Sequence, residues 1–386
     1  MSFPEHRARW VLDSVGGGDI DVADAPAELL EQAFSALARL EERDGPRDAH
    51  GRFESAASSL DPLDPPLERL RDELGLEPPR WFGARFAIAL THDVDVPWRW
   101  TGARAVKGTA ARIKSAPSGR ARARELRALA GLPWHKLRMT DPNWSFERVM
   151  EIEREREARS TFFLLAGHNH PADGPSPETY DRLRPRLVET LAAGGAEIGL
   201  HGTYTAADDP GRLAQEKAEL ERLAGPVEGH RYHYLRVDPA RNLAPLAAAG
   251  FAYDSSLGYP DAVGFRAGIA HPFRPWEVES DRPLDLIEIP LAFMDATFDE
   301  RYLELPARKA EPHLLRLVEL AAERGGGFAV LWHTDRFDRS TAAGWDRLYK
   351  RLIDAVREHG GTCVAAGDLA RLASGMLTGR QYDQAP

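Results

Sequence analysis

Residues 86–95 read FAIALTHDVD, an apolar run that closes on His92, Asp93, Val94 and Asp95. A strand turns successive side chains to opposite faces, so Asp93 and Asp95 point one way and His92 and Val94 the other. Two carboxylates on one face repel each other unless something positive lies between them, and a divalent cation, a basic substrate or solvent would each serve. The pattern recurs along the chain. FERVMEIEREREARS precedes TFFLLAG, RLRPRLVETLAAGG precedes AEIGLHG, DPARNLAPLAAAG precedes FAYDSS, and LLRLVELAAERGGG precedes FAVLWHTD. Helix, glycine, strand, polar residue is the order of βα units around a parallel sheet, whose strands are continuously apolar because both faces are covered. Six or more such units in about 290 residues favour a barrel, with an open doubly wound sheet as the alternative.

The polar residues fall at strand ends: Asp93 and Asp95 after one run, His201 after AEIGL, Asp254 after FAY, His333 after FAVLW. Parallel α/β folds bind ligands at the carboxyl ends of their strands, so these residues are expected to meet at one mouth. Singly, a strand-end His is commonly a hydrogen-bonded structural residue and a strand-end Asp a helix cap. Together, carboxylates and imidazoles are the ligand set of a zinc-like hydrolytic site with an open coordination position.

The chain has 386 residues, 43% hydrophobic and 28% charged, enough for a sizeable core. Its formal charge of −10 argues against general nucleic-acid binding. The single Cys363 excludes an internal disulfide framework and fits a reducing compartment. No signal-like apolar region and no run of membrane-spanning length is present, which predicts a soluble, cytoplasmic protein without a transmembrane segment. Residues 1–84 read as helical segments broken by Gly and Pro, a region of unknown role; residues 85–375 hold the βα units. Within them, residues 98–140 form a basic insertion with Arg99, Arg104, Lys107, Arg112, Lys114, Arg120, Arg122, Arg124, Arg127, Lys136 and Arg138. Its plain reading is a solvated amphipathic helix; its sharper one is a rim for an anionic substrate or a membrane surface.

Five ordered segments resemble the motifs of the polysaccharide deacetylases, the NodB-homology carbohydrate esterases: THDVD (91–95), EIGLHGTYT (197–205), GHRYHY (229–234), YDSS (253–256) and VLWH (330–333). The resemblance covers roughly residues 85–370 and is nearest a bacterial branch with an HDVD first motif. It implies an α/β fold, an irregular (β/α)7 barrel, here with a small helical N-terminal extension. It implies a metal-dependent hydrolase that removes an N-acyl group, acetyl first, from a sugar or glycan by attack of water. The ion would be divalent: zinc, with cobalt or nickel as alternatives. By the same resemblance Asp93 is the general base, Asp95 and His201 bind the metal, Arg231 pairs with the base, and the backbone N–H of Tyr234 holds the oxyanion. Asp254 orients His333, which protonates the departing amine.

This chain departs from the pattern at Thr205, where the family carries its second metal-binding histidine. His233 is the leading replacement, two residues after Arg231 and on the same face if that segment is extended. His92 is turned away by alternation, and His168 and His170 read as a polar loop. Arg266, in GFRAG (264–268), fits either a substrate anion or a loop anchor, and Trp98, Trp100, Trp144 and Trp276 either sugar platforms or core. Two other functions compete: a non-catalytic carbohydrate-binding barrel that has lost its metal, and a nucleotide-sugar glycosyltransferase using Asp93 and Asp95 as its acid pair.

Overall fold

The structure is a computed structural model that describes residues 3–174, 177–299, 301–338 and 341–377, the side chains of Arg104 and residues 177–179 excepted. Its strands are β1 (Ala87–Val94), β2 (Thr161–Leu165), β3 (Glu197–Gly202), β4 (Gly229–Tyr232), β5 (Tyr253–Asp254), β6 (Trp276–Glu277), β7 (Arg282–Pro283), β8 (Ile287–Glu288), β9 (Leu291–Met294), β10 (Gly327–Leu331) and β11 (Thr362–Val364). Its α-helices are α1 (Glu5–Ser14), α2 (Ala27–Leu37), α3 (Pro66–Glu73), α4 (Ala103–Lys114), α5 (Gly119–Arg138), α6 (Phe146–Arg154), α7 (Pro177–Ala193), α8 (Pro210–Ala224), α9 (Leu243–Ala248), α10 (Ala307–Arg324), α11 (Trp345–Glu358) and α12 (Ala366–Leu377).

The expected α/β architecture is present: among the described residues nine strands join one parallel sheet, in the order β8-β5-β4-β3-β2-β1-β10-β9 with β11 beside the start of β1. β1 pairs with β11 through Ala87–Ala89 and with β2 through Thr91–Val94, so one edge of a single strand serves two neighbours and the sheet curls. It is a curled half-barrel: the path ends at β8 and β9, which follow each other in sequence and are not paired. The insertion at 98–140 is the α4–α5 pair, set between β1 and β2.

Residues 3–84 share the barrel's core. Trp10 lies 5.7 Å from Phe34 and 4.8 Å from Trp276, ring centre to ring centre. Glu42, fully buried, takes two hydrogen bonds from Arg266, 2.8 and 2.6 Å, and one from Arg39, 2.8 Å. Arg266 is therefore the loop anchor of GFRAG, too deep to meet a substrate. Gly264 allows that close docking: its φ is +126°, and a Cβ there would come within 2.4 Å of the Pro62 carbonyl oxygen.

Candidate metal centre and active site

Strand register assembles the site. His201 on β3 stands opposite Arg231 on β4, and both lie at the carboxyl end of the sheet with Asp93 and Asp95 of the β1 end. The Arg231 guanidinium is wholly buried and pinned on every side. Its Nε donates to Ser255 O (2.7 Å), Nη2 to Ser255 Oγ (2.9 Å), and Nη1 to Thr91 Oγ1 (2.7 Å) and Asp93 Oδ1 (3.0 Å). Four such bonds leave the arginine one position, and it in turn fixes the Asp93 carboxylate.

Asp95, His201 and His233 each present one ligand atom to a common point, all within 4.8 Å of one another. The separations are 2.9 Å between His233 Nδ1 and His201 Nε2, 3.3 Å from His201 Nε2 to Asp95 Oδ1, and 3.5 Å from His233 Nδ1 to Asp95 Oδ1. Adjacent ligands around an ion with bonds of about 2.1 Å are spaced about 3–3.4 Å apart. The outer ring nitrogens settle the chemistry. His201 Nδ1 faces the Arg231 carbonyl at 2.9 Å and His233 Nε2 faces the Ala172 carbonyl at 3.0 Å. A carbonyl only accepts, so each outer nitrogen donates, and in the neutral ring that a metal requires the inner one carries a lone pair. With both rings neutral, two lone pairs converge on a carboxylate whose Oδ1 is buried without a hydrogen bond among the described residues, an arrangement that suits a divalent cation. Burial opposes charge on both rings. At His201 the Asp93 and Asp95 carboxylates outweigh it and raise the pKa, whereas at His233 burial wins and lowers it. Burial would raise the pKa of Asp95, but His233, His201 and His333 outweigh it and hold the carboxyl well below the usual range.

His333 follows β10 and turns Nε2 toward Asp95 Oδ2 at 3.8 Å. Its Nδ1 donates to Asp295 Oδ1 at 2.6 Å, and Asp295 also accepts from Arg336 Nε at 2.8 Å. Asp254, expected in this role, is elsewhere: it accepts from His230 Nδ1 at 2.7 Å and Ser256 Oγ at 2.9 Å. The strand order explains the correction, because β10 is paired with β9, which Asp295 follows, while β5, which Asp254 ends, lies between β4 and β8. Burial works against charge on His333, but the Asp295 carboxylate outweighs it and lifts the pKa to about 10. Asp295→Asn is expected to lower kcat by roughly 10²-fold or more and to shift the alkaline limb of the kcat profile to lower pH. A profile unchanged from the wild type would remove Asp295 from the site.

A cavity of about 490 Å³ opens over these residues, lined also by Arg52, Arg124, Arg301 and Tyr302. Tyr234 lines it with a left-handed φ of 61°, its carbonyl held by Arg52 Nη1 at 3.1 Å. The loop behind His233 is fixed by Asp173, which accepts from the backbone N–H of Asn169, His170 and Tyr204 at 3.0, 2.9 and 2.7 Å.

No family model matches the chain, and no curated protein matches it. Solved structures do. A candidate polysaccharide deacetylase from Mycobacterium smegmatis is 20% identical with a TM-score of 0.49, the match covering 80% of this chain and 98% of that one. A family 4 carbohydrate esterase from Streptomyces lividans, in complex with acetate, is 13% identical with a TM-score of 0.36, covering 72% of this chain and 92% of that one. A pseudoenzyme of the same esterase family from Bacillus anthracis is 12% identical with a TM-score of 0.37, covering 88% of this chain and 81% of that one. At such identities the likeness concerns the fold alone.

The remaining candidates lie outside the cluster. His92 is buried between the Trp332 carbonyl (2.8 Å), Glu153 (3.1 Å) and Tyr349 (3.1 Å), on the opposite face of β1 as alternation requires. His168 stands beside the Tyr180 ring, and His170 caps the turn at Pro171–Asp173 while stacking on Tyr204 at 4.3 Å. Thr205 sits on a short helical turn after β3 with its hydroxyl buried and unbonded among the described residues. Trp98 packs on Trp144, Trp276 lies in the core, Trp100 lies under Arg99, and none of the four lines the cavity. Asp295 was readable by the rule that found Asp93: LAFMD (291–295) is another apolar run closing on an acid. Arg52 carried no such signal, because its segment is irregular and, apart from the neighbouring Asp48, its partners Tyr234 and Tyr302 are more than 180 residues away.

Proposed function

We propose that the protein is a metal-dependent hydrolase that removes an N-acyl group, acetyl in the simplest case, from a sugar or glycan. One juxtaposition carries this reading: the three converging ligand atoms of Asp95, His201 and His233 stand beside both an Asp93–Arg231 pair and an Asp295–His333 pair, beneath a cavity large enough for a sugar. A divalent ion held there, zinc or alternatively cobalt or nickel, would supply the Lewis acid that polarises the acyl carbonyl and makes water acidic. Asp93, aimed by Arg231, takes a proton from the attacking water. The backbone N–H of Tyr234 is assigned to the developing oxyanion. His333, kept charged at neutral pH by Asp295, gives its Nε2 proton to the nitrogen as the C–N bond breaks. Asp93 thus approaches His201 and His333 approaches Asp95, base and acid at different ligands of one centre, each held by its own partner. The single buried Cys363 fits a reducing compartment, and we assign the protein to the cytoplasm.

Acyl release from N-acetylated sugars, free, nucleotide-linked and polymeric, tests the reading. Chelator-stripped protein is expected to be inactive and to regain turnover with zinc, cobalt or nickel, and Asp95→Ala to regain none. Metal bound at one equivalent with no release from any of these substrates would instead favour a sugar-binding barrel without chemistry.

A further inference from the structure

The α4–α5 insertion carries a second surface with its own logic. Residues 98–140 hold eleven Lys and Arg against one acid, Glu125, in a chain whose formal charge is −10. Glu125 is buried and bonds Arg99 and Arg112, at 2.6 and 3.0 Å, so the one acid is consumed inside the insertion. A solvated helix accounts for those charges but not for what lies among them. Of the eight large apolar side chains exposed among the described residues, four fall here: Leu126 (49% exposed), Trp134 (55%), Leu137 (79%) and Met139 (87%).

Their spacing makes a stripe. At 100° per residue, Leu126, Trp134 and Leu137 lie within about 80° of one another on α5. Arg122 and Lys136 border one side of the stripe, Arg127 and Arg138 the other, and the Arg138 guanidinium lies 4.0 Å from the centre of the Trp134 ring. Ala121, Glu125 and Ala128, on the opposite face, are the residues that α5 buries against the protein. Met139 ends the helix beside Leu137. The helix thus has one face for its own fold and a second, apolar with cationic borders, turned to solvent.

We propose that this face docks on an anionic lipid bilayer. Trp, Leu and Met between Arg and Lys borders match the depth profile of a membrane surface: apolar groups enter the acyl boundary and the long basic side chains stay among phosphates. The helix does not span, since no helix among the described residues is long and apolar enough to cross a membrane. Charge selects lipid over a second copy, whose matching stripe carries the same sign. Arg124 of the same helix lines the active-site cavity, and Arg120 donates to the Glu304 carbonyl at 2.9 Å, so docking holds the cavity mouth at the lipid surface.

Vesicle flotation of the full chain tests this without any substrate. The wild type is expected to float with vesicles of phosphatidylglycerol and phosphatidylcholine in equal parts and to stay behind with pure phosphatidylcholine. A Trp134→Ser, Leu137→Ser, Met139→Ser variant and an Arg122→Glu, Arg127→Glu, Lys136→Glu variant are each expected to bind at least about tenfold more weakly. Both alter solvent-facing side chains, and melting curves matching the wild type establish that they are folded. Equal recovery on both vesicle types, recovery on neither, or folded variants that float like the wild type would overturn the proposal. So would a wild-type dimer in solution that the apolar variant converts to monomer, because the stripe would then belong to a second copy.

Discussion

Asp93→Asn is expected to lower kcat by about 10²–10⁴-fold while the protein keeps its full complement of metal. The substitution is nearly isosteric, and an amide oxygen still accepts from Arg231 Nη1, so the 3.0 Å contact that seats the side chain survives. What it removes is the ability to take a proton. None of the three converging ligand atoms belongs to Asp93, whose nearer approach to His201 Nε2 is 3.5 Å, so binding and turnover should separate. The check is a parallel measurement of kcat and metal stoichiometry on one preparation. Wild-type turnover in Asp93→Asn would remove the base from the mechanism.

Glu42→Gln is expected to cost about 3–5 kcal/mol of stability, far from the reaction and without direct effect on it. Glu42 is the acid that Arg39 and Arg266 share, and all three side chains are out of solvent. The amide leaves the buried Arg266 guanidinium without its paired carboxylate and Arg39 with Glu41 alone, 3.0 Å away, at the seam where residues 3–84 join the barrel. Burial alone would raise the Glu42 pKa, yet the two arginines outweigh it and lower it. A carboxyl depressed on folding contributes stability that is present above its unfolded value, about 4.3, and is lost as pH falls through the folded one. Urea midpoints of wild type and variant should therefore differ most at neutral pH and converge on acidification. Equal midpoints at neutral pH would show that the buried triad does not hold the seam.

Much of the barrel was legible because its physics is local. Period-two alternation in FAIALTHDVD puts Asp93 and Asp95 at the site and His92 against Glu153, and continuous apolar runs mark the parallel strands. The place of His233 follows the same rule: two residues beyond Arg231, it stands 2.9 Å from His201. Asp254 misled, because a strand-end acid says that a carboxylate reaches the carboxyl edge and not which neighbour it meets there. That depends on strand order, and β9 beside β10 brings Asp295 to His333 instead. Arg266 stayed open between substrate anion and loop anchor for a related reason: its partner Glu42 is 224 residues distant, in a segment with no periodic signal. The exposed stripe on α5 was half visible, its cations plain in sequence and its apolar members indistinguishable from core until their exposure was known.

The central claim is that His233 completes a cation site with Asp95 and His201, and zinc titration of the stripped protein tests it most directly. The wild type is expected to bind one equivalent. His233→Ala should bind more than about 100-fold more weakly, since even the loss of a hydrogen-bond partner to a ligand costs 10–100-fold. His168→Ala, which changes a histidine outside the cluster, should bind as the wild type does. One tight equivalent in His233→Ala, or none in the wild type, would contradict the account.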